Sequence, residues 1–301
     1  MNIKRTATAL TLFIATALTA QEESYFSFYN YNMNVFNPAF AGNQESKMVT
    51  LQSRRQWKAI EGSPTNVALT YSSVRKNNLG FGFSILSDQL LNESQTQTNI
   101  DLSYRIQVAE KAFFMVGVKV GTLFFSSGNQ GFVPYIPTNR SYPTSAFNST
   151  VPNVGAGAVL MAETFWLSAS IPRLMDITNS DSVINVFGDR RALFLAAGSS
   201  FEAAKDLFLK PSLIYRQPDG LPSATEITAY ASWKNKIDIG AAYRTSGFYS
   251  IIALMSFNNY LVGITSEFPT GSTSGSNVLR SSEIILRLKL NNSAAKTEIQ
   301  E

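Results

Sequence analysis

Residues 100–108 read Ile-Asp-Leu-Ser-Tyr-Arg-Ile-Gln-Val, a stretch in which apolar and polar side chains alternate at every position. Successive side chains of a β-strand point to opposite faces, so this order gives a strand with one apolar face and one polar face. Similar alternation recurs at 226–233, 238–244 and 283–290. A helical period of about 3.6 residues fits these segments poorly, and the sequence therefore predicts an all-β fold.

Segments of this kind continue along the whole chain. Most are about 9 to 11 residues long, which is the length of a tilted strand that crosses a bilayer. The fourteen predicted strands cover residues 47–56, 66–75, 79–88, 95–108, 112–126, 153–161, 164–171, 192–203, 206–216, 224–234, 236–245, 248–257, 260–268 and 280–290. An even number of such strands predicts a transmembrane outer-membrane β-barrel with about 14 antiparallel strands.

The predicted connections alternate in length almost throughout, which supports the barrel; the short connection at 246–247 breaks the rule. Those at 75–78 and 258–259 are tight, whereas those at 57–65, 89–94 and 127–152 are longer. Outer-membrane barrels have short periplasmic turns and longer external loops, so we expect the long connections outside the cell. A secreted β-sandwich is the alternative, but nothing in a sandwich requires loop length to alternate.

The N-terminus has the layout of a secretory signal, because Lys4 and Arg5 precede an apolar run that ends in small residues near Ala20. The run is short of the roughly 20 residues that span a bilayer, which disfavours a membrane anchor. The predicted divisions are a signal peptide at 1–20, an aromatic N-terminal segment at 21–46, the barrel at 47–290 and a polar tail at 291–301. We therefore expect the protein in the outer membrane.

Composition argues against catalysis. The chain has 301 residues, of which 45% are hydrophobic and 15% charged, and it contains neither histidine nor cysteine. The commonest general base and the usual thiolate ligands are therefore missing, and we expect no enzyme, no cofactor and no metal site. A barrel-embedded lipid hydrolase would have to work without histidine. With 25 basic and 21 acidic residues, the charge gives no reason to expect a nucleic-acid partner.

Charged residues recur on the polar face of the predicted strands. A Lys or Arg on the lipid face at mid-membrane would cost about 2 to 4 kcal/mol, so we expect these groups in the lumen. The predicted lumen charges are Arg105, Lys119, Lys210, Arg244, Arg287, Asp101, Glu226, Asp238 and Glu283. They form either a cross-linked network that fills the interior, or an anion-favouring path or docking surface for an acidic segment.

Aromatic residues crowd the start of the mature chain, just ahead of the sequence Asn-Pro-Ala-Phe-Ala-Gly at 37–42. Burial of this apolar surface is favourable, so we expect the segment against the lumen or a partner, or as a lead-in packed under the barrel. Pro38 biases Asn37 toward an extended conformation, and Gly42 permits a tight turn.

The motif at 37–42, together with Arg-Arg-Gln-Trp at 54–57 and Glu-Gly-Ser-Pro-Thr at 61–65, resembles the PorP/SprF family of type IX secretion system membrane proteins. The resemblance extends over nearly the whole mature chain. It implies an outer-membrane component of type IX secretion that helps a secreted protein, such as an adhesin of gliding motility, to leave the cell or stay attached to its surface.

The implied partners are the C-terminal domain of a secreted cargo protein, other secretion-system proteins, peptidoglycan-associated periplasmic proteins and outer-membrane lipid. The residues that would serve partner binding or the structural motif are Asn37, Pro38, Ala39, Phe40, Gly42, Arg54, Trp57, Glu61, Gly62 and Pro64. We expect loops 57–65 and 127–152 to hold the cargo and the aromatic segment to plug or brace the interior. The alternative is a passive or anion-favouring pore for small solutes.

Overall fold

A computed structural model describes residues 26–57, 59–127, 147–175, 191–270 and 280–290. Almost all of these residues belong to strands. The strands are β1 (Asn43–Arg55), β2 (Thr65–Val74), β3 (Leu79–Leu90), β4 (Glu93–Ala109), β5 (Ala112–Ser127), β6 (Phe147–Ala162), β7 (Phe165–Ile171), β8 (Ala192–Ser199), β9 (Phe201–Ala204), β10 (Leu207–Pro218), β11 (Ala224–Trp233), β12 (Ile237–Arg244), β13 (Phe248–Phe257), β14 (Tyr260–Pro269) and β15 (Ser281–Leu290).

The strands form one closed antiparallel sheet in which each strand pairs with its neighbours in sequence. The last strand, β15, pairs with β1 through nine residue pairs, from Lys47 with Leu290 to Arg55 with Ser282. Both β8 and β9 pair with β10 and are separated only by Ser200, so they are two segments of one strand. The sheet is therefore a barrel of fourteen strands, which confirms the predicted fold class.

The two faces of the wall differ as the alternation predicts. In β4, Ile100 and Leu102 are 47% and 50% exposed on the outer face, whereas Asp101 between them is 0% exposed and points inward. The exposed side chains on the outer face are mostly Leu, Ile, Val and Phe along the whole sheet. This apolar outer surface suits the hydrocarbon interior of a membrane, which contains no water to solvate polar side chains.

The two ends of the barrel differ in their connections. The tight turns at residues 75–78, 163–164 and 258–259 lie at one end, here called the short-turn rim. The connection at 56–64 lies at the other end, here called the long-loop rim, together with the tight turns at 91–92 and 245–247. Among the described residues no helix has the length needed to cross a bilayer.

Two predicted loops were wrong in extent. Strands β3 and β4 stay paired to Leu90 and Glu93, so the predicted loop 89–94 is a turn at residues 91–92. Strand β6 starts at Phe147 and pairs with the end of β5, so the second part of the predicted loop 127–152 is strand, and residues 128–146 lie outside the described residues. In these segments Asn, Ser and Thr occur on both faces of the strand. The strands therefore stay paired where apolar and polar residues no longer alternate. The signal peptide and the polar tail also lie outside the described residues.

Candidate functional site

The described residues ahead of the barrel, 26–42, lie inside it and are here called the plug segment. They form three single turns of 3-10 helix at Tyr29–Tyr31, Met33–Val35 and Pro38–Phe40. Apolar side chains of the plug segment pack against the inner wall in two clusters. The wall residues of these clusters are Ala68, Met115, Val159, Ala192, Phe194, Ala196 and Ile214 in the first and Tyr230, Ala242, Ile252, Leu254, Leu261 and Ile285 in the second. The plug segment therefore contacts strands on opposite sides of the lumen.

The Asn-Pro-Ala-Phe-Ala-Gly motif forms the end of the plug segment near the short-turn rim. The Asn37 side chain accepts a hydrogen bond from the Ala39 N–H at 2.9 Å, and Pro38 occupies the first helical position. Asn caps a helix in this way, and Pro is favoured where no N–H is required. The Asn37 amide also donates to Ser168 Oγ at 2.8 Å and to the Ala158 carbonyl at 3.1 Å. One side chain therefore both shapes the turn and fastens it to β6 and β7.

Glycines of the wall make room for this motif. A Cβ atom on Gly117 would lie 2.5 Å from the Pro38 carbonyl carbon, and one on Gly157 would overlap the Asn37 side chain. Gly42 has a φ of +66°, which favours glycine, and its own Cβ would lie 2.5 Å from Gly80 Cα. The motif thus lies directly on the backbone of the wall, and side chains there would displace it.

A network of buried charges holds the other end of the plug segment. The Glu283 carboxylate accepts hydrogen bonds from the backbone N–H groups of Ser27 at 2.8 Å and Phe28 at 3.3 Å. Glu283 lies 3.7 Å from Arg54, which also pairs with Glu267. The network continues to a second arginine, because Arg244 is 2.7 Å from Glu267 and 3.1 Å from Glu226.

The members of this network are at most 2% exposed, so their charges are shielded from water. Buried ions lose several kcal/mol of hydration each, and only close pairing offsets that cost. The network therefore resembles a cross-linked filling of the interior more than the lining of an open ion path.

The other predicted lumen charges also point inward, and they contact the plug segment, each other or an aromatic ring of the wall. Lys119 is 2.7 Å from Asp101 and donates to the Asn34 carbonyl at 3.3 Å. Asp238 accepts a short hydrogen bond from the Tyr31 hydroxyl and lies 3.6 Å from Lys210. The remaining two lie over aromatic rings, Arg287 at 5.9 Å from the ring centre of Tyr31 and Arg105 at 4.6 Å from that of Phe113.

The tyrosines of the plug segment stay protonated in this setting. Burial raises the pKa of the Tyr29 phenol to about 12, and burial also raises that of Tyr31, with the charge of Asp238 adding to the effect. The Tyr29 hydroxyl is 3.0 Å from Ser212 Oγ, and Asn30 donates to the same oxygen at 2.6 Å. Both phenols therefore act as neutral hydrogen-bonding groups at ordinary pH.

The predicted loop residues lie together at the long-loop rim, away from the plug motif. The Gln56 N–H donates to the Pro64 carbonyl at 2.9 Å, which closes the base of the loop next to Trp57. The Gly62 carbonyl accepts from the Leu91 N–H at 2.9 Å, so this loop contacts the turn at 91–92. Glu61 is exposed and Trp57 is half-buried. The structure thus separates the predicted motif residues into two places, the loop and the plug, with Arg54 joining the charge network.

Three wall residues were missed by the sequence analysis, of which one belongs to the charge network and two contact the plug segment. Glu267 bridges two arginines, Ser103 Oγ donates to the Ala41 carbonyl at 2.6 Å, and Arg75 donates to the same carbonyl at 2.9 Å. Burial, with the nearby charge of Arg105, lowers the pKa of Arg75 to about 10. Alternation within β4 and β14 places Ser103 and Glu267 on the inward face, so the sequence contained a signal for these two residues. No sequence pattern pointed to Arg75, which lies in a turn.

These observations define a class of membrane protein, namely a β-barrel whose lumen is filled by its own N-terminal segment. The sequence profile described as "Type IX secretion system membrane protein PorP/SprF" matches residues 18–288. The chain therefore belongs to the PorP/SprF family, and it is a type IX secretion system membrane protein. Comparison with curated proteins finds no match.

Solved structures share the fold at low sequence identity. The P. putida toluene transporter TodX is 10% identical with a TM-score of 0.51, and the match covers 91% of this chain and 97% of TodX. The Ralstonia pickettii toluene transporter TbuX is 10% identical with a TM-score of 0.49, covering 85% and 92% of the two chains. A Pseudomonas aeruginosa FadL homologue is 9% identical with a TM-score of 0.46, covering 84% and 92%. The likeness to TodX supports the barrel fold alone.

Proposed function

We propose that this protein is a docking partner in the outer membrane, which attaches a secreted type IX cargo protein such as an adhesin to the cell surface. The observation that carries the proposal is the plug segment, which is bonded to the wall at both of its ends. A filled lumen suits a rigid platform better than a conduit. Family membership supplies the link to secretion.

The surface proposed for the cargo is the loop at 56–64 with the turn at 91–92. Ile60 and Leu91 are 40% and 64% exposed there, and apolar side chains exposed together mark contact sites. Gly62 has a φ of +72°, and Trp57 has a φ of 45°, which is uncommon for a non-glycine residue. The loop thus has a defined shape, and we propose that it holds the C-terminal domain of the cargo.

The periplasmic side of the protein would face the rest of the machinery. We propose that the short-turn rim contacts other secretion-system proteins and peptidoglycan-associated proteins. A role in gliding motility would follow if the cargo is a motility adhesin. Support for this orientation comes from the short turns at this rim, which are periplasmic in outer-membrane barrels.

A passive or anion-favouring pore is the alternative. Against it stands the pairing of Arg54, Lys119 and Arg244 with carboxylates, in which every side chain is at most 2% exposed, because cations that select anions must face a wet path. The two functions separate in a gene-deletion strain. Selective loss of one large surface protein from the surface proteome is the result expected for docking, and an unchanged surface with altered solute uptake would contradict it.

The proposed loop surface is tested by Trp57→Ala and Pro64→Ala. Each variant is expected to lower the amount of cargo retained at the surface, measured by quantitative proteomics, because each removes a group that shapes the loop. The control is Trp233→Ala, since Trp233 is 52% exposed on the outer face near the opposite rim. Folding is checked by heat-modifiable migration on gels. Failure of both loop variants to fold would assign these residues to assembly instead of cargo binding.

A further inference from the structure

The barrel wall is interrupted near the short-turn rim, between β8 and β9. Within the described residues, the pairing of β10 with β8 ends at Ser212 and its pairing with β9 begins at Leu209, so the two residues between them have no partner on that side. One of these is Pro211, which has no N–H to offer a ladder. Ser200 at the break donates its N–H to the Thr164 carbonyl at 2.9 Å and not to β10.

A cavity of about 300 Å³ lies at this interruption. Its inner lining includes Tyr31 of the plug segment and Trp166 and Tyr230 of the wall. Its lining also includes Phe165 and Pro211, which occupy outward positions of β7 and β10. The lining residues therefore come from inward and outward positions of the wall, with Ser199 and Ser200 at the break and Ala162, Glu163 and Thr164 at the neighbouring short turn.

The surface outside the break is part of the apolar belt. Leu167, Leu195 and Leu213 are 48%, 40% and 38% exposed on the outer face of the same strands. Outside the break, these leucines are solvated by the acyl chains of the membrane, close to the short-turn rim. Of the charged residues in its described lining, one is a cation, Lys210, and one is a carboxylate, Glu163. These two opposite charges select no charged headgroup. The other polar lining residues are Asn30, Thr164, Ser199, Ser200 and Ser212, and the rings of Trp166, Tyr31 and Tyr230 give the cavity an apolar side that an acyl chain can occupy.

We propose that this cavity binds one acyl chain of a phospholipid from the surrounding membrane, which enters through the gap at Ser200. The chain lies against the aromatic rings of Trp166, Tyr31 and Tyr230, so the bound lipid packs beside the plug segment. The site is independent of the cargo-docking function, and it makes membrane lipid a structural ligand of the lumen and not only the solvent of the outer surface.

Trp166 provides the test, since its side chain points inward and lines the cavity. The sequence holds three tryptophans, so replacing Trp57 and Trp233 by Phe leaves Trp166 as a single reporter in the full chain. The protein is folded into phosphatidylcholine vesicles with plain or brominated acyl chains, and bromine quenches tryptophan on contact. We expect the Trp166 emission to fall in the brominated vesicles.

Two further substitutions close the gap in different ways. Ser200→Phe fills the gap with an aromatic ring. Pro211→Val restores a backbone N–H in β10 that can pair with the strand formed by β8 and β9. Both are expected to remove the quenching of Trp166, and the second covers the case in which the first does not fold. The matched control keeps Trp233 alone, which is 52% exposed on the outer face and should be quenched in every background. Equal Trp166 emission in both vesicle types, or quenching that persists in the folded gap variants, would overturn the proposal.

Discussion

At the scale of single residues, Glu267 has the most consequential position in the lumen. Its two carboxylate oxygens contact different arginines, Arg54 and Arg244, and all three side chains are at most 2% exposed. An arginine does not lose its proton under such conditions, so its charge has to be compensated by a neighbour. Glu267 is therefore the carboxylate that the two buried cations share, beside Glu283 at Arg54 and Glu226 at Arg244.

Replacing this carboxylate is predicted to weaken the folded barrel. Glu267→Ala removes the carboxylate that two buried guanidinium groups share, which should lower the free energy of unfolding by about 3 kcal/mol, the lower end for breaking a buried pair, because Glu283 and Glu226 still face the two arginines. The control is Glu163→Ala, because Glu163 and Lys111 form a pair at 2.8 Å with side chains 61% and 67% exposed, and an exposed pair is worth at most about 1 kcal/mol. Urea unfolding in lipid vesicles measures both. Similar losses in the two variants would contradict the role assigned to Glu267.

The position of Glu267 could be inferred from sequence only in part. Alternation along β14 puts it on the inward face with Thr265, but its partner Arg54 is 213 residues away in the chain. The alternation of apolar and polar residues indicates which face of the strand a residue occupies. Pairing across the lumen depends on barrel closure and strand tilt, and no local sequence pattern contains that information. For the same reason Asp101 could be predicted to face inward, while its contact with Lys119 required the register of β4 and β5.

At the scale of elements, the strands were predictable and the plug segment was less so. Strand β13 was predicted at its observed bounds, Phe248–Phe257, because alternation and tight turns coincide there. The plug segment has single turns of 3-10 helix, which are too short to have a hydrophobic period. Its aromatic content indicated burial, but the wall beneath its motif includes glycines such as Gly117, whose sequence signal is only the lack of a side chain.

The fit between plug and wall leads to a prediction at Gly117. In Gly117→Ala the new Cβ meets backbone atoms of Pro38 and Ala39, which cannot turn away as a side chain could. Overpacking of this kind costs roughly 1 to 3 kcal/mol, and displacement of the plug motif relieves it. We expect faster cleavage within residues 26–42 by an added protease, mapped by mass spectrometry.

The matched control for this variant is Gly263→Ala on the inward face of β14. Its Cβ would meet side-chain atoms, namely Leu254 Cδ2 and Cγ and Ile285 Cγ2, each at 2.8 Å, whereas at Gly117 it meets backbone. These atoms can shift by small rotations, so cleavage of the plug segment should stay at the wild-type rate. If Gly117→Ala is cleaved no faster than this control, the plug motif does not depend on the glycine surface.

At the scale of the whole molecule, the barrel and its plug segment are two parts with one shared core. The outer face is solvated by lipid, so the apolar contacts that need explaining lie in the lumen, where Phe28, Tyr29 and Ala39 are each 0% exposed. The side chains of the wall fill the interior of an eight-stranded barrel. In a barrel of fourteen strands the interior is too wide for them to fill. The plug segment fills this remaining space, so a part of the same chain blocks the lumen.

This arrangement predicts the electrical behaviour of the purified protein. The wild-type barrel should give no steady single-channel conductance in a planar bilayer, because the plug segment is bonded to the wall near both rims through Glu283 and Asn37. Deletion of residues 26–42 should open a conducting path, and a synthetic peptide of that sequence added to the chamber should reduce the current again. Heat-modifiable migration confirms that the deleted barrel has folded before recording. A large, steady conductance from the wild-type protein would instead favour the solute pore, because it would mean that ions pass beside a plug segment still in place.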